Sequence, residues 1–275
     1  MCYPFLRRNA AMKVDVALDC YALSDKGLKR RVNEDTYLCD PEGLFVVADG
    51  MGGANCGEIA SQLTVSTFEN CIMPFLIDDE ATIPFEFANG EDLFTQAVKH
   101  ATEQANEVVL RSAIENEECH GMGSTLTAAV IHAGFIYIAH VGDSRLYQCQ
   151  DGNLSLVTKD HTRVQEMVNR KLISAGEART HPNRHVITRC IGRKNQLKPD
   201  LIKIRLLPNA LYMLCSDGLY DMVDDQYIAE IIHQNRSLER MGAQLVDSAN
   251  RNGGKDNITI VFFRQSPENS DGVLY

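Results

Sequence analysis

A chain of 275 residues with 44% hydrophobic side chains has enough apolar surface for one large core or two small ones. Its 37 acids outnumber 27 bases, and the resulting charge of −10 opposes nonspecific attraction to nucleic acid or to an anionic membrane surface. Nine cysteines with no CxxC pair and an odd total argue against a zinc ribbon and against a disulfide framework, so buried thiols and a reducing cytoplasm are expected.

Residues 1–12 hold Arg7 and Arg8 but no apolar run long enough for a signal peptide or a membrane span, and read as a flexible leader, with Met12 as an alternative start. Apolar residues from Val14 to Leu23 predict a strand that ends in the turn Ser24-Asp25-Lys26-Gly27. The charged stretch Arg30 to Asp35 follows. Tyr37-Leu38-Cys39, the turn Pro41-Glu42-Gly43 and the run Leu44-Phe45-Val46-Val47 then predict a β-hairpin. Its antiparallel strands would bring Glu34 and Asp35 beside Asp49, and the glycines at 50, 52 and 53 would let the Gly50 carbonyl turn toward the same point.

Helical spacing predicts a helix over 58–76 closed by Pro74, a polar surface loop over 78–90, and an amphipathic helix from Phe94 to Val109. Strands are predicted at 124–132, 135–141, 145–149 and 154–157, with Ala133-Gly134 and Asp151-Gly152 as tight turns. Between 160 and 185 the pattern is helical, charged and poor in apolar anchors, which predicts a small surface flap over about 162–184. Strands at 202–206 and 211–215, two helices around Ile228 to Ala249, and a strand from Ile258 to Phe263 complete the chain. The strand pairs are hairpins rather than crossovers. The expected fold is α+β: two antiparallel sheets packed face to face with helices outside, in one domain spanning 13–265, with 266–275 as a tail.

Four times an acid stands beside glycine at a strand end: Asp49-Gly50, Gly142-Asp143, Asp217-Gly218 and Gly254 near Asp256. One such pair is an ordinary turn. Four of them with Glu34-Asp35 form a candidate cage, because converging carboxylates need neutralising and hard divalent cations take oxygen donors. Without HExxH or a Cys/His cluster, magnesium or manganese is favoured over zinc. Two such ions about 4 Å apart lower the pKa of a shared water, and Arg30 supplies a planar fork for phosphate oxygens. Together these features point to phosphate-ester hydrolysis.

The ordered motifs Arg30-x-x-Asn33-Glu34-Asp35, Asp49-Gly50-Met51-Gly52-Gly53, Gly123-Ser124-Thr125, Val141-Gly142-Asp143-Ser144-Arg145, Ile187-Thr188-Arg189 with Ile191-Gly192, Cys215-Ser216-Asp217-Gly218-Leu219 and Gly254-x-Asp256-Asn257-Ile258-Thr259 resemble those of the metal-dependent protein phosphatases, the PPM or type 2C family, in its bacterial form. The resemblance runs from about Ser24 to Phe263. It implies a protein serine/threonine phosphatase that opposes a kinase, acts as a monomer on phosphoserine and phosphothreonine proteins, and uses direct attack by a hydroxide bridging two Mn2+ or Mg2+ ions. By the same resemblance Asp49 bridges the ions, the Gly50 carbonyl binds the first, and Asp217 and Asp256 hold the second. Glu34 and Asp35 act through metal-bound waters, Arg30 takes the substrate phosphate, and Asp143 with Asp217 matches a third-metal position. Many eukaryotic relatives carry histidine after the Asp-Gly pair as the proposed general acid. Met51 stands here, so a metal-bound water is expected in that role.

The alternative reading is a catalytically silent family member serving as a binding or regulatory module, and the presence of every metal acid weighs against it. A two-metal nuclease or phosphodiesterase fits the acids but not the acidic charge or the ordered motifs. His140 is expected as a satisfied core histidine, His161 as either structural or substrate-contacting, and Arg145 as the partner of an internal acid. Asn257 is expected to fix the turn around Asp256. Cys215 has no activating base and is not expected to be a nucleophile.

Overall fold

The computed structural model describes residues 16–52, 56–77, 92–194 and 197–266. The expected leader, the start of the strand predicted from Val14, Gly53, the loop over 78–90 and nearly all of the tail lie outside the described residues.

Among the described residues eleven strands form two sheets, and every pairing between them is antiparallel. The first sheet runs β1 (Leu18–Asp25), β11 (Ile258–Gln265), β10 (Leu211–Cys215), β7 (Arg145–Gln150), β8 (Asn153–Leu156). The second runs β2 (Asp35–Asp40), β3 (Leu44–Met51), β5 (Leu126–His132), β6 (Phe135–Val141), β9 (Asp200–Arg205), with the short β4 (Gly123–Ser124) beside the end of β3. The turns Ala133-Gly134 and Asp151-Gly152 take positive φ at both residues, which matches the right-handed twist of the strands they join.

The unbroken apolar run of β3 has a simple cause, since both its faces are buried. Phe45 and Val47 point into the space between the sheets, where Phe45 stacks on Phe263 of β11 at 4.3 Å between ring centroids and Tyr212 of β10 stacks on Phe263 at 5.0 Å. Leu44, Val46 and Ala48 point the other way, onto the helices α1 (Cys56–Ile77) and α2 (Leu93–Glu115). On the far side the first sheet is covered by α6 (Asp225–Gln234) and α7 (Leu238–Arg251), which bury Ile228, Ile231, Met241 and Leu245. The result is a four-layer arrangement with the two sheets inside, as the strand and helix pattern predicts.

The differences from expectation have local reasons. Pro74 does not close α1 but sits within it, three residues before its end, where it removes only one helical hydrogen bond and Phe75 remains packed in the core. A single helical turn, α5 (Asp217–Tyr220), follows β10 and is too short to leave a periodic signal. The 162–184 segment holds two short helices, α3 (Arg163–Asn169) and α4 (Ala175–Thr180), and the second has a capping box between Ser174 and Glu177 but buries no side chain.

Cys56 and Cys119 form a disulfide, which corrects the expectation that the cysteines are unpaired. They lie 63 residues apart in sequence, a separation that no local spacing rule detects. No helix among the described residues is long and apolar enough to cross a membrane.

Candidate metal centre

The two sheets deliver their strand ends to one edge of the sandwich. Asp35 opens β2 and Asp49 lies two residues before the end of β3, and the hairpin register pairs them directly. Asp143 lies in the turn after β6, Asp217 starts α5 after β10, and Asp256 precedes β11. Arg30, Glu34, Asp49, Gly50, Asp143, Asp217 and Asp256 all line a single cleft of about 1240 Å³. Asp35, alone of the predicted site residues, lies beneath its floor and is 9% exposed.

Each acid is held from behind. The Asp49 backbone N–H donates to Thr125 Oγ1 at 2.8 Å and its carbonyl accepts from the Thr125 N–H at 2.8 Å. Ser216 Oγ donates to Asp35 Oδ2 at 2.7 Å. The N–H of Glu34 donates to Asn257 Oδ1 at 2.8 Å, while the Asn257 amide donates to the carbonyls of Lys26 and Val32 at 2.9 and 3.0 Å. Asn257 thus braces the segment that carries Glu34 as well as the turn at Asp256. The Gly57 N–H, at the start of α1, donates to the Glu34 carboxylate. Only glycine fits there, because an added Cβ would stand 2.4 Å from Glu34 Oε1.

Asp143 is positioned by a buried chain. Arg145 meets Asp160 through two parallel hydrogen bonds, Nε to Oδ1 at 3.0 Å and Nη2 to Oδ2 at 2.7 Å, and lies 3.6 Å over the Tyr220 ring. The Tyr220 hydroxyl then donates to the Asp143 carbonyl at 3.0 Å. Arg145 is therefore an internal partner, as expected. His140 is fully buried between Thr127 Oγ1 at 3.0 Å and the Lys159 carbonyl at 3.1 Å, and burial pushes its pKa down to about 4. His161 is buried too, accepting the Gly142 N–H at 3.2 Å and facing Asp200 at 3.3 Å. The Cys215 thiol is fully buried and pushed far above its usual range by that burial, which excludes it as a nucleophile.

The floor is electrostatically strained. Burial raises the pKa of Asp35 to about 6 and that of Asp143 to about 7. Asp49 and Asp217 are raised well above the carboxylate range, by burial first and then by neighbouring acids, with Asp35 leading for Asp49 and Asp143 for Asp217. Asp35 Oδ1 and Asp217 Oδ1 are buried without a hydrogen-bond partner. Arg30 relieves part of the charge by donating to Asp256 Oδ2 at 2.6 Å and standing 3.7 Å from Glu34 Oε2, and it stays 47% exposed. Clustered buried carboxylates, two orphaned oxygens and a glycine carbonyl make a hard, all-oxygen donor set that fits Mg2+ or Mn2+.

Two residues of the site escape the motif reading. His185, Asp217 and Asp221 each offer a donor atom within 4.8 Å of the others, and among the described residues no other three His, Cys, Asp or Glu side chains come as close. Asp221 follows Asp217 by four residues on the same helical turn, which is a legible signal once that turn is recognised. His185 arrives from the end of the 162–184 segment and has none.

The chain matches the profile of the family described as Protein phosphatase 2C over residues 23–258. It is 36% identical over 250 residues to the serine/threonine protein phosphatase PstP of Mycobacterium tuberculosis, an alignment covering 90% of this chain and 45% of that one. The chain thus spans about half the length of that curated relative. It is 33% identical over 242 residues to the serine/threonine phosphatase stp of Listeria monocytogenes, covering 86% of this chain and 92% of that one. A crystal structure of M. tuberculosis PstP/Ppp superposes with a TM-score of 0.80 at 34% identity over 91% of this chain and all of that one. A structure of the PstP catalytic domain in complex with two manganese ions superposes with a TM-score of 0.77 at 33% identity, covering 90% of this chain and 98% of that one. With the double sandwich, the edge-on acid cluster and the profile match in agreement, the chain belongs to the protein phosphatase 2C family.

Proposed function

We propose that this chain is a metal-dependent phosphatase of phosphoserine and phosphothreonine proteins. The observation that carries this reading is the convergence of acids from both sheets on one cleft, with a buried carboxylate oxygen left unpartnered on Asp217 and another on Asp35 beneath the floor. Asp49, Asp217, Asp256 and the Gly50 carbonyl would hold two Mn2+ or Mg2+ ions, and Asp143 with Asp217 and Asp221 would offer a third position. When bound, such ions supply Lewis acidity that lowers the pKa of a coordinated water and neutralises phosphate charge.

The protein's own groups do the positioning. Arg30 sits at the mouth of the cleft with its fork half exposed, placed to receive phosphate oxygens. Thr125 fixes the backbone of Asp49, Gly57 and Asn257 fix Glu34, and Ser216 orients Asp35. Because these contacts pre-arrange the floor, little reorganisation is left for the moment of reaction. A serine/threonine kinase as the opposing activity, a cytoplasmic setting and a monomeric state accompany this proposal.

The test is hydrolysis of p-nitrophenyl phosphate and of a phosphothreonine peptide with manganese, and again with a chelator. Turnover of both that the chelator abolishes supports the reading. Peptide binding with no turnover of either substrate would identify a silent member of the family instead.

A further inference from the structure

The cleft extends well beyond its acidic floor. One wall includes residues 190–194 together with Leu197 and Lys198, and its Ile191, Gly192 and Arg193 are pinned by hydrogen bonds. The N–H groups of Gly192 and Arg193 donate to Asn106 Oδ1 of α2 at 2.9 and 3.2 Å, and Ile191 exchanges hydrogen bonds with Ser124 at 2.8 and 3.2 Å. Between this wall and the end of α2 the cleft is lined by Leu110, Ile114 and Leu197, with Ile114 56% exposed.

Arg193, Lys194 and Lys198 stand exposed on the wall and line the cleft. Among the described residues none of the three has a carboxylate within ion-pair distance. From Arg184 to Pro199 the chain carries six basic or imidazole side chains and no acid. In a molecule with a charge of −10, a row of exposed cations facing a cavity, with no carboxylate within ion-pair distance among the described residues, creates a local field of the opposite sign.

We propose that this wall is a substrate subsite for Asp and Glu side chains flanking the phosphorylated residue, so that the protein selects phosphoserine and phosphothreonine in acidic segments. The inference rests on the phosphatase reading above. Carboxylates match a wall whose charges are single and spread out. The ammonium groups of Lys194 and Lys198 are point charges on flexible stems that pair with one carboxylate each, and Arg193, with its Nε turned to Cys190 Sγ at 3.1 Å, keeps its two Nη groups for another. Leu110, Ile114 and Leu197 offer apolar surface to the aliphatic parts of the same segment.

The experiment compares kcat/KM for a phosphothreonine peptide with Asp and Glu on both sides against the same peptide with Asn and Gln. It uses the wild type and a Lys194→Glu/Lys198→Glu variant at low and high salt. The expected result is a preference of about five- to tenfold for the acidic peptide at low salt, expressed in KM and diminished by salt, as for rim charges. The variant should lose or invert it. Equal kcat/KM in the wild type, or a preference that survives charge reversal, would overturn the proposal. Fluorescence anisotropy with phosphonate versions of both peptides reads the same ratio without turnover. Equal binding there overturns the acidic subsite, whereas a preserved binding preference with no hydrolysis of any substrate supports the subsite and sinks only the phosphatase reading.

Discussion

Asp35 and Asp49 are register partners across the β2–β3 hairpin, so the fold places a buried acid and a half-buried one side by side on neighbouring strands. In the metal-free protein this arrangement costs stability, and the pH dependence has a definite sign. An acid whose native pKa is raised keeps its proton where the unfolded chain has lost it, so stability falls as pH rises between the two values. For Asp35 and Asp143 the window opens near the ordinary Asp value of about 3.9 and closes at about 6 and about 7. The shift of Asp35 corresponds to on the order of 3 kcal/mol. Chelated protein should therefore melt at lower temperature at pH 8 than at pH 5, and manganese should restore Tm mainly at pH 8. A melting temperature flat from pH 5 to 8 would contradict the account.

Replacing Asp217 by Asn separates stability from metal binding. Its half-buried carboxylate faces the charges of Asp143, Asp256 and Asp221, and its buried Oδ1 has no partner. An amide of the same shape removes the repulsion and the anionic ligand together. Asp217→Asn should raise the Tm of the chelated protein at pH 8 by at least a few degrees while manganese uptake and turnover fall, turnover by about 100-fold or more. Calorimetric titration with Mn2+ and a thermal melt on the same sample check both halves. A variant that binds Mn2+ as the wild type does would remove Asp217 from the ligand set.

Gly57→Ala tests the brace behind Glu34. A methyl group there would stand 2.9 Å from the Gly50 carbonyl carbon as well as against the Glu34 carboxylate, so backbone and ligand must both shift. A stability loss of about 1–3 kcal/mol is expected, in the range for overpacking a tight site, together with a higher manganese concentration for half-maximal activity. Unchanged manganese dependence would show that Gly57 does not set the position of Glu34.

The centre was legible in the chain to the extent that its ligands stand at strand ends beside glycine. Asp49, Asp143 and Asp217 each follow a largely apolar run, which a strand buried on both faces accommodates. Asp35 is legible both from the Arg30-x-x-Asn33-Glu34-Asp35 motif and from the predicted hairpin, whose antiparallel pairing of 35–40 with 44–49 sets it opposite Asp49. His185 was not legible, because its approach depends on where the 162–184 segment lies rather than on any local pattern. The wall cations were also hidden: a run such as Arg193-Lys194 reads as solvated surface until the cleft beside it is known. The Cys56–Cys119 pair was missed for the same reason, as two residues 63 apart meet only through the packing of α1 against the end of α2.

That disulfide bears on the centre as well as on the fold. Cys56 immediately precedes Gly57, whose N–H holds Glu34, and Cys119 is followed by His120 and Gly121, which line the cleft. Closing a loop of this length restricts the unfolded chain by about 4 kcal/mol in the chain-entropy picture. A dithiol reductant, which is itself oxidised as it returns two thiols, should lower the wild-type Tm by at least about 5 °C. It should also weaken manganese binding, because the start of α1 loses its anchor to the 117–123 segment. The Cys56→Ser/Cys119→Ser variant should already show both losses and should ignore the reductant. If thiol counting on the unreduced protein finds all nine cysteines free and the reductant leaves Tm unchanged, the two sulfurs do not form the bond in solution.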